Sequence, residues 1–149
     1  MKRIKKIIFI TGLFFAFVIT GIIFTFVSEK YKIAKVKIGD TVFSVEIAET
    51  IAQKAKGLSG RQKLGDNQGM LFLFNPLSEP GFWMMGMKFP IDIIWIKGGN
   101  IAGIERDVPA DSSELYYPPE PIDQVLEING GESERLGIQV GDSAVILNK

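Results

Sequence analysis

Between Lys6 and Glu29 the chain carries no charge, and Ile7 to Val27 is an unbroken run of 21 residues, almost all Ile, Phe, Val, Leu, Gly or Thr. As a helix it spans about 31 Å, close to the thickness of a bilayer's hydrocarbon core. A buried core helix keeps a polar stripe, and this stretch has none. A cleaved signal peptide has a shorter apolar region and small residues at its cut site, whereas this run ends Phe26-Val27-Ser28-Glu29. The sequence therefore predicts one uncleaved transmembrane helix, with residues 1–28 as anchor and the lipid bilayer as partner through residues 7–27. Residues 29–34 read as a juxtamembrane linker and 35–149 as a compact domain. Lys2, Arg3, Lys5 and Lys6 precede the run, and Lys30, Lys32, Lys35 and Lys37 follow it. The leading cluster is the tighter and Glu29 dilutes the other, so the positive-inside rule favours an extracytoplasmic domain on a single-pass membrane protein.

Beyond the anchor, about 120 residues remain, enough for one hydrophobic core. The chain has no Cys and no His, which removes disulfides, thiolate zinc sites, Cys nucleophiles and His bases. Zero net charge conceals a separation: residues 29–63 hold eight basic and four acidic side chains, residues 64–149 five basic and thirteen acidic. No clustered basic surface is available for nucleic acid in the second part. The acids from Glu105 to Glu134 read as a solvated loop surface, with a cation site as the lesser alternative.

Phe43, Val45 and Ile47 alternate with polar residues, and with Val36–Ile38 across Gly39-Asp40 they predict a hairpin. Thr50-Ile-Ala-Gln53 is a capping-box pattern for a short helix ending at Gly57. Strands are expected at Met70–Phe74, closed by Asn75-Pro76, from Phe82-Trp83-Met84 onward after the Pro80-Gly81 turn, at Ile91–Ile96, Ile101–Glu105, Gln124–Ile128 and Ser143–Leu147, with a second short helix at Glu132–Leu136. Arg106–Asp123, with four prolines, reads as one long loop. The fold class is mainly β, a β-barrel-like or rolled antiparallel sheet with two short helices, preceded by the transmembrane helix.

Three blocks carry a resemblance: Gly69-Met-Leu-Phe72; Phe82-Trp-Met84 with Pro90-Ile-Asp-Ile-Ile-Trp-Ile96; and Val125-Leu-Glu-Ile128 through Gly131 and Gly137-Ile138 to Gly141-Asp142. In order and spacing, residues 35–147 resemble the domain-of-unknown-function family 192. The resemblance implies a small, mostly β domain, often behind a leading signal or anchor, and implies no reaction. The family pattern reads Lys-Asn-Thr where this chain has Met85-Gly86-Met87, so any contact made by that polar triplet is altered here. The family's early Arg corresponds to Arg61.

Asp92 stands between Ile91 and Ile93 in an otherwise apolar strand, so its carboxyl must be paired, hydrogen-bonded or protonated. It reads as a structural acceptor of backbone N–H groups or Arg61, or as a shifted acid in a pocket with Arg61 clamping an anion. Trp83 with Met84, Met85 and Met87 suggests either core packing or a soft Cu(I) site; strand geometry lets only Met85 and Met87 converge. Tyr116 and Tyr117 either pin their loop or present aromatic contacts to a glycan or protein partner. Ser59–Lys63 and Glu105–Asp107 are weaker pairs for catalysis. No cofactor is implied. Together these residues favour a binding or interaction module of the cell envelope, with a glycan or an envelope protein as partner. The alternatives are a small envelope enzyme using Asp92 and Arg61, or Cu(I) binding by the methionines.

Overall fold

A computed structural model describes residues 30–148. The transmembrane reading of residues 7–27 falls outside them; among the described residues no helix is long and apolar enough to cross a membrane. The domain is a seven-stranded curled half-barrel with two short helices. In chain order it runs β1 (Lys32–Ile38), β2 (Thr41–Ala48), α1 (Ile51–Lys56), β3 (Gln68–Ser78), β4 (Ile91–Lys97), β5 (Asn100–Val108), β6 (Ile122–Asn129), α2 (Glu132–Arg135) and β7 (Ala144–Asn148). The strands lie side by side in the order β5-β4-β6-β3-β2-β1-β7. The curl brings the two edge strands together at one end, where the Ala144 N–H donates to the Gly99 carbonyl (2.8 Å) and the Ile101 N–H to the Asp142 carbonyl (2.9 Å).

Several elements differ from the sequence reading. β1 begins at Lys32, inside the span read as linker. β3 continues through Asn75-Pro76 to Ser78, because its far end pairs with Ile122 across a register shift. The long loop shrinks, because β5 persists to Val108 and β6 starts at Ile122. One pair is parallel, β2 with β3. Parallel neighbours need a crossover connection rather than a hairpin, and residues 49–67, carrying α1, supply it. A second crossover, residues 79–90, leads from β3 to β4, leaving the place between them to β6, which is antiparallel to both.

The capping box at α1 forms as its residue types dictate: Thr50 Oγ1 accepts from the Gln53 N–H at 3.1 Å, and Gln53 Oε1 accepts from the Thr50 N–H at 3.0 Å. Gly57, at φ 48°, ends the helix in a conformation costly for any other residue.

The three central strands are buried on both faces. One face gathers side chains from all seven strands, including Val36, Phe43, Val45, Leu71, Ile94, Ile101, Leu126 and Ala144, and forms the interior of the curl. On the outer face Met70, Phe72, Ile91, Ile93, Trp95 and Val125 are covered by Leu58, Phe82, Met84 and neighbouring loop residues. Full burial of side chains of this size contributes roughly 1.5–3 kcal/mol each. Phe82 links the covering segment to the sheet by edge-on ring contacts, 5.0 Å from Phe72 and 5.4 Å from Trp95 between centroids.

Asp92 ties one end of the half-barrel. Its side chain is fully buried, and its carboxylate accepts three backbone N–H bonds: Asp107 to Oδ1 at 2.7 Å, Gly131 to Oδ1 at 2.8 Å and Ser133 to Oδ2 at 2.7 Å. One side chain thereby satisfies the end of β5, the turn after β6 and the start of α2. Arg106 reinforces the junction, donating to Ser133 Oγ (2.5 Å) and the Ile138 carbonyl (2.6 Å). Asp92→Ala leaves three N–H donors without acceptors and is expected to cost roughly 3–5 kcal/mol, read as a fall in urea midpoint. An unchanged midpoint would show that solvent replaces the carboxylate.

Candidate functional site

The two crossovers cover the same outer face of the sheet, and an apolar cavity of about 290 Å³ lies between them. The first crossover supplies Ile51, Lys54, Ala55 and Gly57–Ser59; the second supplies Pro80–Trp83, Met85 and Met87; Phe72 and Phe74 come from β3 and Glu127 from β6. The walls are tied to each other: the Gly60 N–H donates to the Gly86 carbonyl at 2.9 Å, and Ser59 Oγ donates to the Met85 carbonyl at 2.9 Å. Lys54 Nζ lies 4.3 Å from the centre of the Phe74 ring, so even this charged side chain meets the site through an aromatic face.

Glu127 is the chemically distinctive group. On β6 it follows Leu126 and precedes Ile128, whose side chains enter the interior of the curl, so alternation turns Glu127 to the outer face. Its neighbours across the strands are Met70 and Ile93. The residue is only 5% exposed, and its Oε2 is buried with no hydrogen-bond partner among the described residues. Burial pushes its carboxyl up to about 8, with the Arg61 charge pulling the other way. A Cβ built on Gly57 would stand 3.5 Å from the Phe72 ring and 3.9 Å from Glu127 Oε2, so the glycine backbone passes directly over the acid.

The residues singled out in the sequence divide between two faces. Arg61 is not at Asp92. Its guanidinium clasps Glu46, Nη1 to Oε1 at 2.7 Å and Nη2 to Oε2 at 2.6 Å, and this bonding holds its pKa above the ordinary value. Glu46 is paired with Met70 in the β2–β3 register, which puts it on the outer face, whereas Asp92, flanked by Ile91 and Ile93, is turned the other way. The structure does not bring Asp92 and Arg61 together. Trp83, half exposed, lines the cavity, as do Met85 and Met87, while Met84 is buried in the core. Only these two thioethers of the cluster line it, and not through strand alternation: the segment from Phe82 makes a single bridge to Tyr116 and then turns, with the Met87 N–H donating to the Met84 carbonyl at 3.0 Å. Tyr116 holds its loop through a two-way backbone bridge to Phe82 and a 2.8 Å hydroxyl contact with Ser112. Tyr117 is exposed against Gly81, whose Cβ, if present, would lie 3.0 Å from the ring.

Sequence reasoning missed Glu127. It was absorbed into the acidic run read as solvated surface, although Glu127, like Glu132, is buried. The signal that flagged Asp92, an acid between two branched apolar residues, is equally present in Leu126-Glu127-Ile128. Among the described residues no group of three Asp or Glu side chains is arranged to hold a metal ion.

The sequence profile of DUF192, described as an uncharacterized ACR, matches residues 34–146. The chain belongs to the DUF192 family. No curated protein matches it. Among solved structures, a protein of unknown function from Novosphingobium aromaticivorans DSM 12444 is 38% identical, with TM-score 0.74 over 80% of this chain and 89% of that one. A protein provisionally assigned as a transcription regulator from Sinorhizobium meliloti 1021 is 28% identical, with TM-score 0.76 over 78% of this chain and 95% of that one. These two structures share the fold and bring no reaction with them.

The buried acid makes a stability prediction. In the unfolded chain Glu127 ionises near 4.5, in the fold near 8, so between those values the fold binds the extra proton and loses stability as pH rises. Replacing it with Gln removes that loss. The advantage of Glu127→Gln over the parent is expected to grow from pH 4.5 to 8, reaching a few kcal/mol in order of magnitude, and then level off. Lys54 and Lys56, which line the cavity, and the Arg61–Glu46 pair, whose Arg acts on Glu127, are common to both proteins. Parallel unfolding curves at every pH would contradict the buried-acid assignment.

Proposed function

We propose that this DUF192 protein is a membrane-tethered, extracytoplasmic binding module whose ligand enters the cavity between the two crossovers. One observation carries the binding part: a mostly apolar, pre-formed cavity whose lining includes a buried acid, Glu127, with an oxygen unpartnered among the described residues. The exposed Trp83 and Met85 at its edge supply a polarizable contact surface. The charge-free run Ile7–Val27 supports the tether, and the tighter leading cluster of cations supports the outward orientation. Phenylalanines, methionines and a tryptophan suit an apolar ligand better than a glycan, which needs many hydrogen-bonding partners. The acidic second half argues against carrying over the transcription-regulator assignment of the Sinorhizobium relative.

Expressed full-length, the protein is expected to stay with membranes after carbonate extraction, and its domain to be digested by protease added outside intact cells. Release into the supernatant would remove the tether, and protection from protease would reverse the orientation. For binding, a photo-crosslinking phenylalanine analogue at Met85 is expected to yield an adduct, while the same analogue at the exposed β7 residue Val145 yields none. Equal labelling at the two positions, or none at either, would count against the cavity as the binding site.

A further inference from the structure

Resting on the cavity as the binding site, the structure allows its ligand class to be named. We propose that the cavity takes a small, uncharged, mostly apolar molecule, held by one hydrogen bond donated from the Glu127 carboxyl to a carbonyl-type acceptor. The volume sets the size. At about 290 Å³ the space is roughly twice an engineered apolar cavity that binds benzene, enough for a substituted single ring or a compact bicycle. The lining sets the body of the ligand: the rings of Phe72, Phe74 and Phe82 and the thioethers of Met85 and Met87 offer dispersion contacts and no hydrogen bonds.

Glu127 sets the polar end. Its Oε2 is buried without a partner among the described residues, so the carboxyl carries an unmet hydrogen-bonding need at the phenyl-rich floor of the cavity. A carboxylate there would face Phe72 and Met70 with its charge unneutralised, because Arg61, the cation whose charge acts on it, is already clasped by Glu46. The acid form costs far less to bury, and it is a donor. The upward shift of its titration by burial agrees with that form. A cationic ligand is disfavoured by Lys54 and Lys56 on the first crossover. An anionic one would have to give up its water for a floor of phenyl rings and thioethers, with Lys54 already held over the Phe74 ring. A neutral acceptor alone meets the geometry without a charge penalty.

The experiment uses the full chain in lipid nanodiscs, with the methionine methyls labelled for NMR. Met85 and Met87 report the cavity, and the buried Met70 reports the fold. Four probes share one skeleton: acetophenone, ethylbenzene, 1-phenylethylamine and benzoate. Near neutral pH, acetophenone is expected to shift the Met85 and Met87 methyls with an affinity about threefold to tenfold above ethylbenzene, the worth of one net hydrogen bond. Partition into lipid is removed by comparing variants at the same probe concentration. Glu127→Gln, whose amide also donates, keeps that preference, and Glu127→Leu abolishes it. Raising the pH to about 10, past the Glu127 titration, weakens acetophenone binding to the parent and not to Glu127→Gln. Should Met70 show that the Leu variant fails to fold, the Gln variant and the pH arm still decide. Tightest binding by 1-phenylethylamine would overturn the inference in favour of a cation held by a carboxylate, and tightest binding by benzoate in favour of an anion held by Lys54 and Lys56. Equal binding of acetophenone and ethylbenzene would remove Glu127 as the anchor while leaving the cavity as a binding site. No shift at Met85 or Met87 with any probe would defeat both the inference and the binding reading on which it rests.

Discussion

Burial of β3, β6 and β4 on both faces is the constraint from which the rest of the domain follows. A sheet of this size closed into a half-barrel protects only its interior face. The outer faces of its central strands carry Met70, Phe72, Ile93, Trp95 and Val125, and each must be covered by something other than sheet. The cover comes from the two crossovers. Residues 49–67 are needed because β2 and β3 are parallel, and residues 79–90 because β3 must reach β4 past the place that β6 fills. Topology thus supplies two long connections on the face that needs them.

Two such connections do not tile a sheet completely. Where α1 and Gly57–Ser59 meet the Pro80–Met87 segment, a cavity remains, braced by the Gly60–Gly86 and Ser59–Met85 hydrogen bonds. Strand alternation then places one acid, Glu127, beneath it. The two buried acids of the central strands illustrate how environment assigns roles. Asp92 faces inward and meets three backbone donors, so its charge is shared and its work is structural. Glu127 faces outward and meets phenyl rings and thioethers, so burial drives it toward the neutral form.

Much of the local structure was legible along the chain. The alternation in Phe43–Ile47, the capping box at Thr50 and Gln53, and the apolar density of Ile91–Ile96 each have a local cause and reappear as β2, α1 and β4. Strand ends were less legible. Asn75-Pro76 looks like a terminator, and Arg106–Val108 looks like loop, but pairing with Ile122 and the Asp92 bond to Asp107 carry β3 and β5 further. The parallel pair is not legible in any short window: the sequence predicts an antiparallel sheet, and only the β2–β3 register shows that the segment carrying α1 is a crossover.

The sequence by itself determined the mainly β class, the two short helices, the DUF192 membership and the need for Asp92 to find partners, since propensity, period and the cost of a buried charge act on short windows. Tertiary structure alone decided that Arg61 belongs to Glu46, that Met84 leaves its neighbours for the core, and that Glu127 underlies a cavity. Those outcomes depend on which strand lies beside which and on which face a register turns outward. Residues 46 and 61 pair, and residues 72, 85 and 127 come to line one cavity, only when the sheet is ordered and its crossovers have closed over it.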